Sequence, residues 1–314
     1  VQTLPWIWRG QTISTVCSPP MNGSPDRGAV LLVHGFGASW RHWRHTIPAL
    51  SAAGFDVHAL DLLGFGASAK PPSVLPGEAA LEGAVRYGFD LWAEQVIDYC
   101  SSRTGPGRWQ LVGNSIGGVV ALNAARLLQE QKMPPDQVVL IDCAQRALDG
   151  KRLAELPPLQ RWSRPLLMAT VRQRWLIQGL FKVLARPAVV RQVLAQAYPS
   201  GAHVDQELVD LLIQPSRDRG APESFRGFVN LFNDRLAPQL LAALDLPVRM
   251  LWGEADPWEP VAEARRWAAT YPCVRELRVL AGLGHCPHDE APERVNPLLV
   301  AWLSEPGTSS AQAD

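Results

Sequence analysis

The sequence predicts an α/β fold: a mostly parallel central sheet with helices on both faces and a helical cap inserted before the last two strands. Three observations predict it. Short apolar runs alternate with helical patterns as far as residue 143; from 144 to about 243 the pattern is helical, broken by Pro and Gly, with no convincing strand; the alternation then resumes. Strands buried on both faces need such uninterrupted apolar runs, and they belong to parallel sheets whose crossovers are helices.

Taken in order, Ala29–Val33 (AVLLV) reads as a buried strand, Trp40–Ala53 as a helix and Val57–Leu60 as a strand. Leu91–Arg103 is helical. Trp109–Gly113 is a strand that runs into a helix over Ser115–Gln131, and Val138–Ile141 (VVLI) is the next strand. Within the insert, Leu166–Leu184 carries a dense set of apolar residues, among them Leu166, Trp175, Leu180 and Leu184. Val248–Trp252 (VRMLW), a helix near 261–270, a strand over Arg275–Leu280 and a helix near 292–303 complete the pattern. The expected division is a core of 1–143 and 244–305, a cap of 144–243 and a disordered tail of 306–314. A cap inserted there sits over the carboxyl ends of the strands, where open α/β sheets bind ligands.

At 314 residues the chain can build one large core, or a core with a cap. Its 47% hydrophobic and 19% charged residues fit a globular protein. Thirty basic and thirty acidic side chains cancel, so net charge gives no footprint for nucleic acid or an anionic membrane. Five cysteines, an odd number without a CxxC pair, read as free thiols in a reducing compartment rather than a zinc site. The opening VQTLPWIWRG lacks the basic flank and long apolar run of a secretion signal, and no apolar run reaches membrane-spanning length.

The strongest chemical signal is Gly113-Asn114-Ser115-Ile116-Gly117, followed by Gly118, between the strand WQLV and the helix GVVALNAARLLQE. A serine on a tight strand-to-helix turn is held in strained geometry with its oxygen exposed, and the glycines keep neighbouring backbone from colliding. The pattern matches a nucleophile elbow of the α/β-hydrolase type, and the helix expected behind it would aim its N-terminal dipole at developing negative charge. His34-Gly35-Phe36-Gly37 follows the strand AVLLV, in the loop that supplies the second oxyanion donor. The backbone N–H groups of Phe36 and Ile116 are the expected oxyanion hole, and His34 is expected to be hydrogen-bonded beneath the loop.

The fold's chain order of nucleophile, acid and histidine places the base late. His285, in Gly282-Leu283-Gly284-His285 after RELRVL, is the candidate; His288 is its nearest competitor, with a capping or hydrogen-bonding role at the final helix as its expectation. Asp256, in WGEADP after VRMLW, is the candidate acid that orients the imidazole. Asp142 at the end of VVLI is the alternative, Glu254 is expected in solvent, and Asp61 is expected to hold loop backbone. His42, His45, His58 and His203 are expected on the surface or in packing. Phe36, Asn114 and Trp258, close in sequence to these positions, are the expected substrate contacts. No cofactor or metal is implied; Gly64-Phe65-Gly66 lacks the third glycine of a dinucleotide fingerprint.

The segments HGFGASWRHWRHTIPAL, DLLGFGASAKP, GNSIGG, WGEADPWEP and GHCPHDEAPERVNP resemble the plastid and cyanobacterial α/β-hydrolases that include chlorophyll dephytylase and pheophytinase, the dephytylase branch more closely. The likeness runs from about Trp6 to Trp302. It places Ser115, Asp256 and His285 on the family's triad, and implies hydrolysis of the ester between phytol and a chlorophyll-type ring. Chlorophyll or pheophytin would be the small-molecule partner. The compartment implied is the cytoplasm or the cytoplasmic face of the thylakoid in a cyanobacterium, or stroma and thylakoid in a plastid. Asp142 and His288 stand where uncharged residues are expected in relatives. A site for so apolar an ester needs extended apolar lining, for which the cap offers Trp162, Trp175, Phe181, Phe225, Phe228 and Phe232. Peripheral membrane contact through the cap is expected to be hydrophobic rather than electrostatic, because net charge is zero.

Overall fold

The computed structural model describes residues 2–21, 27–79, 81–103 and 109–305; the expected tail, 306–314, lies outside them. Eight strands form one sheet: β1 (Gln2–Trp8), β2 (Gln11–Ser18), β3 (Ala29–Val33), β4 (Asp56–Leu60), β5 (Trp109–Asn114), β6 (Gln137–Ile141), β7 (Val248–Gly253) and β8 (Val274–Leu280). Their order is β1-β2-β4-β3-β5-β6-β7-β8. The hairpin β1–β2 and the β2–β4 pair are antiparallel, and every pairing from β4 to β8 is parallel.

The sequence reading begins its strands at Ala29, and the structure adds two before it. β1 is an edge strand, exposed along most of its length, and β2 alternates buried Ile13 with half-buried neighbours. Neither carries the continuous apolar run of a doubly covered strand.

The central strands split their side chains between two apolar layers. From β3, Leu31 and Val33 enter a core packed by α2 (Phe89–Arg103) and α3 (Ile116–Glu130), with Trp92, Val96 and Val120. Val30 and Leu32 enter the opposite layer, packed by Ile47 and Leu50 of α1 (Thr46–Ala52) and by the C-terminal helix. The expected helix over Trp40–Ala53 is two pieces: a 3-10 turn over Trp40–Trp43, then α1. Pro48 lies in the first turn of α1, where its missing N–H is not needed, so the helix restarts there.

Between β6 and β7 the described chain is helical: α4 (Pro158–Arg172), α5 (Arg174–Leu184), α6 (Pro187–Ala197), α7 (Gln206–Ile213), α8 (Ala221–Val229) and α9 (Ala237–Leu241), with short 3-10 turns. The apolar stretch Leu166–Leu184 is divided at Gln173, which takes extended backbone between α4 and α5. α10 (Val261–Thr270), α11 (Pro287–Glu290) and α12 (Pro292–Ser304) follow. The segment clamps to the core through Arg44, which binds Asp289 on α11 and also Asp205, Glu207 and the carbonyl of His203.

Candidate active site

Ser115 leaves β5 with φ 55° and ψ −122°, a region that a residue with a side chain occupies only when its surroundings impose it. The surroundings do so. The Ser115 N–H donates to the Ile141 carbonyl at 3.0 Å, and its own carbonyl accepts from Gly118 and Ala144 at 3.0 and 3.1 Å. A Cβ at Gly113 would stand 2.2 Å from the Gly117 carbonyl oxygen, and one at Gly117 would stand 2.3 Å from that of Val33. The two glycines are therefore required by the close approach of β3, β5 and the start of α3.

Asp256 follows β7 and His285 follows β8, adjacent strands whose carboxyl ends face the same side. Asp256 Oδ2 is 2.7 Å from His285 Nδ1. Its Oδ1 accepts the N–H groups of Trp258 at 2.8 Å and Glu259 at 3.1 Å. Burial alone would raise the Asp256 carboxyl, but the His285 contact and these N–H groups outweigh it and hold it below the ordinary carboxylate range. Asp256 is thus ionised and anchors Nδ1–H, which leaves Nε2 as the basic nitrogen. The backbone of His285 is pinned at both ends: its N–H donates to the Ala197 carbonyl at the end of α6, and its carbonyl accepts from Asn114 Nδ2 at 3.1 Å.

Ser115 and His285 line one cavity of about 700 Å³. Among the described contacts no hydrogen bond joins them. Such contacts are often long in unliganded enzymes and tighten on the substrate. The cavity wall is mostly apolar: Phe36 and Ile116 from the core, Leu167 and Val171 from α4, Leu194 from α6 and Phe228 from α8. Phe36 stacks on Phe228 with ring centroids 4.1 Å apart, so the loop after β3 carries a cap helix directly. The Phe36 and Ile116 N–H groups have no intramolecular acceptor among the described bonds, and Ile116 is the first residue of α3, where helical N–H groups are unpaired. Both are available to an oxyanion.

Of the expected substrate contacts, Phe36 and Trp258 line the cavity, and the Trp258 ring lies 4.9 Å from that of His285. Asn114 also reaches the wall, but its amide is committed to the carbonyls of Ile141 and His285. It holds the histidine loop against the elbow. Of the cap aromatics, Phe228 and Phe232 line the cavity, Phe181 packs on Phe225 at 5.4 Å, and Trp162 and Trp175 point to solvent.

Asp142 has φ 44° and is fully buried at the end of β6. Its Oδ1 accepts the Gly253 N–H at 2.9 Å, and its Oδ2 has no hydrogen-bond donor. Carboxylate oxygens of Asp142 and Asp256 and a ring nitrogen of His285 all lie within 4.8 Å of one another. Burial, then the Asp256 charge, push the Asp142 carboxyl well above the usual range. Two carboxylates this close cannot both ionise. Asp142 is the neutral partner, able to donate its proton towards Asp256. Glu259, three residues beyond Asp256, is likewise pushed up to about 8, chiefly by burial.

The remaining residues singled out in the sequence have other tasks. His34 accepts the Leu62 N–H on Nε2 and contacts the Gly35 carbonyl through Nδ1, and burial lowers its pKa to about 4. Asp61 accepts the N–H groups of Trp40 and Ala67. Glu254 is exposed. His288 departs from its expected capping role: it is buried, neither ring nitrogen has a hydrogen-bond partner, and it packs on Trp43 and His42. Burial first, then the neighbouring histidines, hold it neutral. His42 takes the packing place among its expectations: it is buried against His288, and its Nε2 meets the Tyr198 hydroxyl at 2.7 Å. Sequence reasoning missed Tyr198, which also donates to Asp289, and Glu290, which accepts from Gly284 and Ser200 and so ties the histidine loop to the cap. The only available signal was that Asp289 and Glu290 follow His285 closely in GHCPHDE.

Residues 30–298 match the sequence pattern of the alpha/beta hydrolase family. The chain belongs to the α/β hydrolase family. This α/β hydrolase is 26% identical over 280 residues to the uncharacterized hydrolase YugF of Bacillus subtilis, covering 89% of the chain and 91% of that protein. It is 30% identical over 276 residues to the pimeloyl-[acyl-carrier protein] methyl ester esterase of Edwardsiella ictaluri, covering 86% of the chain and 91% of the esterase. Among solved structures, the epoxide hydrolase CorEH superposes with a TM-score of 0.73 at 19% identity, over 96% of the chain and 98% of that structure; that likeness is one of fold.

Proposed function

We propose that this hydrolase is a serine esterase that cleaves the phytyl ester of chlorophyll-type pigments, with Ser115 as nucleophile, His285 as base and Asp256 as acid. The observation that carries the reaction class is Ser115, strained on its turn, in the wall of an apolar cavity that is also lined by His285, whose Nδ1 is held by Asp256. In the proposed reaction His285 Nε2 takes the Ser115 proton as the oxygen attacks the ester carbonyl. The N–H groups of Phe36 and Ile116 hold the oxyanion. The C–O bond to the alcohol breaks as His285 returns the proton, and phytol leaves. Water, deprotonated by His285, then attacks the acyl-enzyme and releases the acid and Ser115. A serine at the elbow disfavours epoxide-hydrolase chemistry, which needs a carboxylate there to form an alkyl ester.

The pigment rests on the resemblance of the quoted motifs, and the cavity agrees with it. About 700 Å³ of largely apolar space falls in the upper part of the range of about 300–1,000 Å³ seen for ligand pockets. It suits a long branched tail with the ester at Ser115. A second reading, a general carboxylesterase, is favoured by the likeness to a methyl ester esterase. The deciding experiment incubates the protein and its S115A variant with detergent-solubilised chlorophyll a, pheophytin a and a series of p-nitrophenyl esters. Chlorophyllide or pheophorbide from the native protein alone supports the pigment reading. Cleavage of the p-nitrophenyl esters without pigment products replaces it with the general esterase. Pigment binding without turnover, unchanged in S115A, would reduce the triad to an idle relic.

A further inference from the structure

The zero net charge of the chain conceals a sharp segregation. Between Glu155 and Asp205, the stretch that forms α4, α5 and α6, there are seven Lys and Arg residues and no Asp or Glu. Arg174 is offset by Glu223 and Glu78 of neighbouring segments. Arg161, Lys182 and Arg186 are exposed and have no acidic partner among the described ion pairs.

The same helices leave large apolar side chains in water. No residue of α4 is buried. Leu159, Trp162 and Leu166, spaced to share one helical face, are 75%, 82% and 73% exposed. On α5, Trp175 is 70% exposed, and Leu180, Val183 and Leu184 are also exposed. Single exposed apolar residues need no explanation, but this many on two neighbouring helices do. Among the described residues no helix is long and apolar enough to cross a membrane.

Helices that expose Trp and Leu to water and carry basic but no acidic side chains of their own are suited to lie in the headgroup layer of an anionic bilayer. Tryptophan prefers that interface, and basic side chains add attraction to the lipid charge. We propose that α4 and α5 form a docking surface for an anionic lipid bilayer, with Trp162, Leu166 and Trp175 inserting among the headgroups and Arg161, Lys182 and Arg186 meeting lipid phosphates or sulfonates. The proposed contact is electrostatic as well as hydrophobic, where net charge alone suggests a hydrophobic one. The surface is continuous with the active-site cavity: Leu167, half exposed on α4, is also part of the cavity wall. An ester dissolved in the bilayer would therefore meet the cap at the wall of the cavity that holds Ser115.

The test is flotation with vesicles of phosphatidylcholine alone and of phosphatidylcholine with 30% phosphatidylglycerol (about the anionic fraction that gives a strong surface potential). The full chain is expected to float with the anionic vesicles and to be released by high salt. Two variants separate the contributions. R161E/K182E/R186E is expected to lower anionic-vesicle partitioning about ten- to a hundredfold. W162A/W175A is expected to lower it comparably while leaving hydrolysis of a short soluble ester unchanged, since neither tryptophan lines the cavity. Equal partitioning to neutral and anionic vesicles, or wild-type partitioning of the charge-reversed variant, overturns the proposal. So does a stable dimer in solution that W162A/W175A dissociates, because the face would then belong to a second copy. Binding is read without turnover, so this result is separable from the identity of the ester.

Discussion

Asp142 and Asp256 bring two carboxyl groups together at the ends of β6 and β7, the first fully buried with an Oδ2 that no N–H or O–H reaches, the second holding His285 Nδ1 at 2.7 Å. Burial and the Asp256 charge raise the Asp142 carboxyl, while the His285 contact holds Asp256 low, so the negative charge belongs on Asp256. An amide at 142 can accept the Gly253 N–H and donate towards Asp256 as a protonated carboxyl does. D142N is therefore expected to keep kcat/KM within about tenfold of the native value. A loss near the ~10⁴ that follows conversion of a triad acid to its amide would show instead that Asp142 is the working acid.

The same residue has a signature in stability. A carboxyl raised in the folded state favours folding most below its ordinary pKa, near 3.9, and withdraws that stability as pH rises towards its folded value. D142N does not titrate. Its stability relative to the native chain is expected to improve as pH rises above about 4, measured by urea unfolding at fixed pH values. A pH-independent difference would mean that Asp142 is ionised in the folded protein.

Glu259 follows the same sign with a defined window, since burial lifts it to about 8. Its share of stability is complete at acidic pH and declines up to about pH 8. E259Q is expected to flatten that decline. Because Glu259 Oε2 accepts the Gln145 N–H at 2.7 Å, the glutamine keeps the acceptor, and unfolding at pH 5 should barely change.

Tyr198 joins cap to core through His42 Nε2 and Asp289. Y198F leaves two buried polar groups short of a partner, at about 1–3 kcal/mol. The expected result is a lower unfolding midpoint in urea, with faster amide exchange over α6. An unchanged midpoint would mean that the other ties between cap and core, those of Arg44, Glu290 and the Phe36–Phe228 stack among them, hold the cap without Tyr198.

Phe36 stacks its ring on Phe228, and in the proposed mechanism its N–H serves the oxyanion hole. F36A removes the ring and keeps the N–H. A rise in KM of about tenfold with a smaller change in kcat is expected for apolar esters, since binding rather than transition-state stabilisation is lost. A fall in kcat with KM unchanged would place the ring in the catalytic step itself.

Much of this was legible along the chain because it is local. Continuous apolar runs named β3 and most of β6, since strands covered on both faces leave few polar positions. The elbow was legible because Gly113 and Gly117 answer to atoms that any chain of this topology brings near. β1 and β2 were not, because an exposed edge hairpin has no continuous apolar signature. The neutrality of Asp142, the burial of His288 and the bond from Asn114 to His285 were equally out of reach, since each depends on residues distant in sequence.

The sequence by itself determined the layered α/β fold, the position of the serine and the chain order of its partners, because backbone periodicity and turn sterics act over a few residues. Only the tertiary structure decided which carboxyl holds the imidazole and which stays protonated. It also decided that the basic and apolar side chains of α4 and α5 face water together. Desolvation and solvent exposure are properties of packed neighbours, and strands far apart in the chain supply those neighbours.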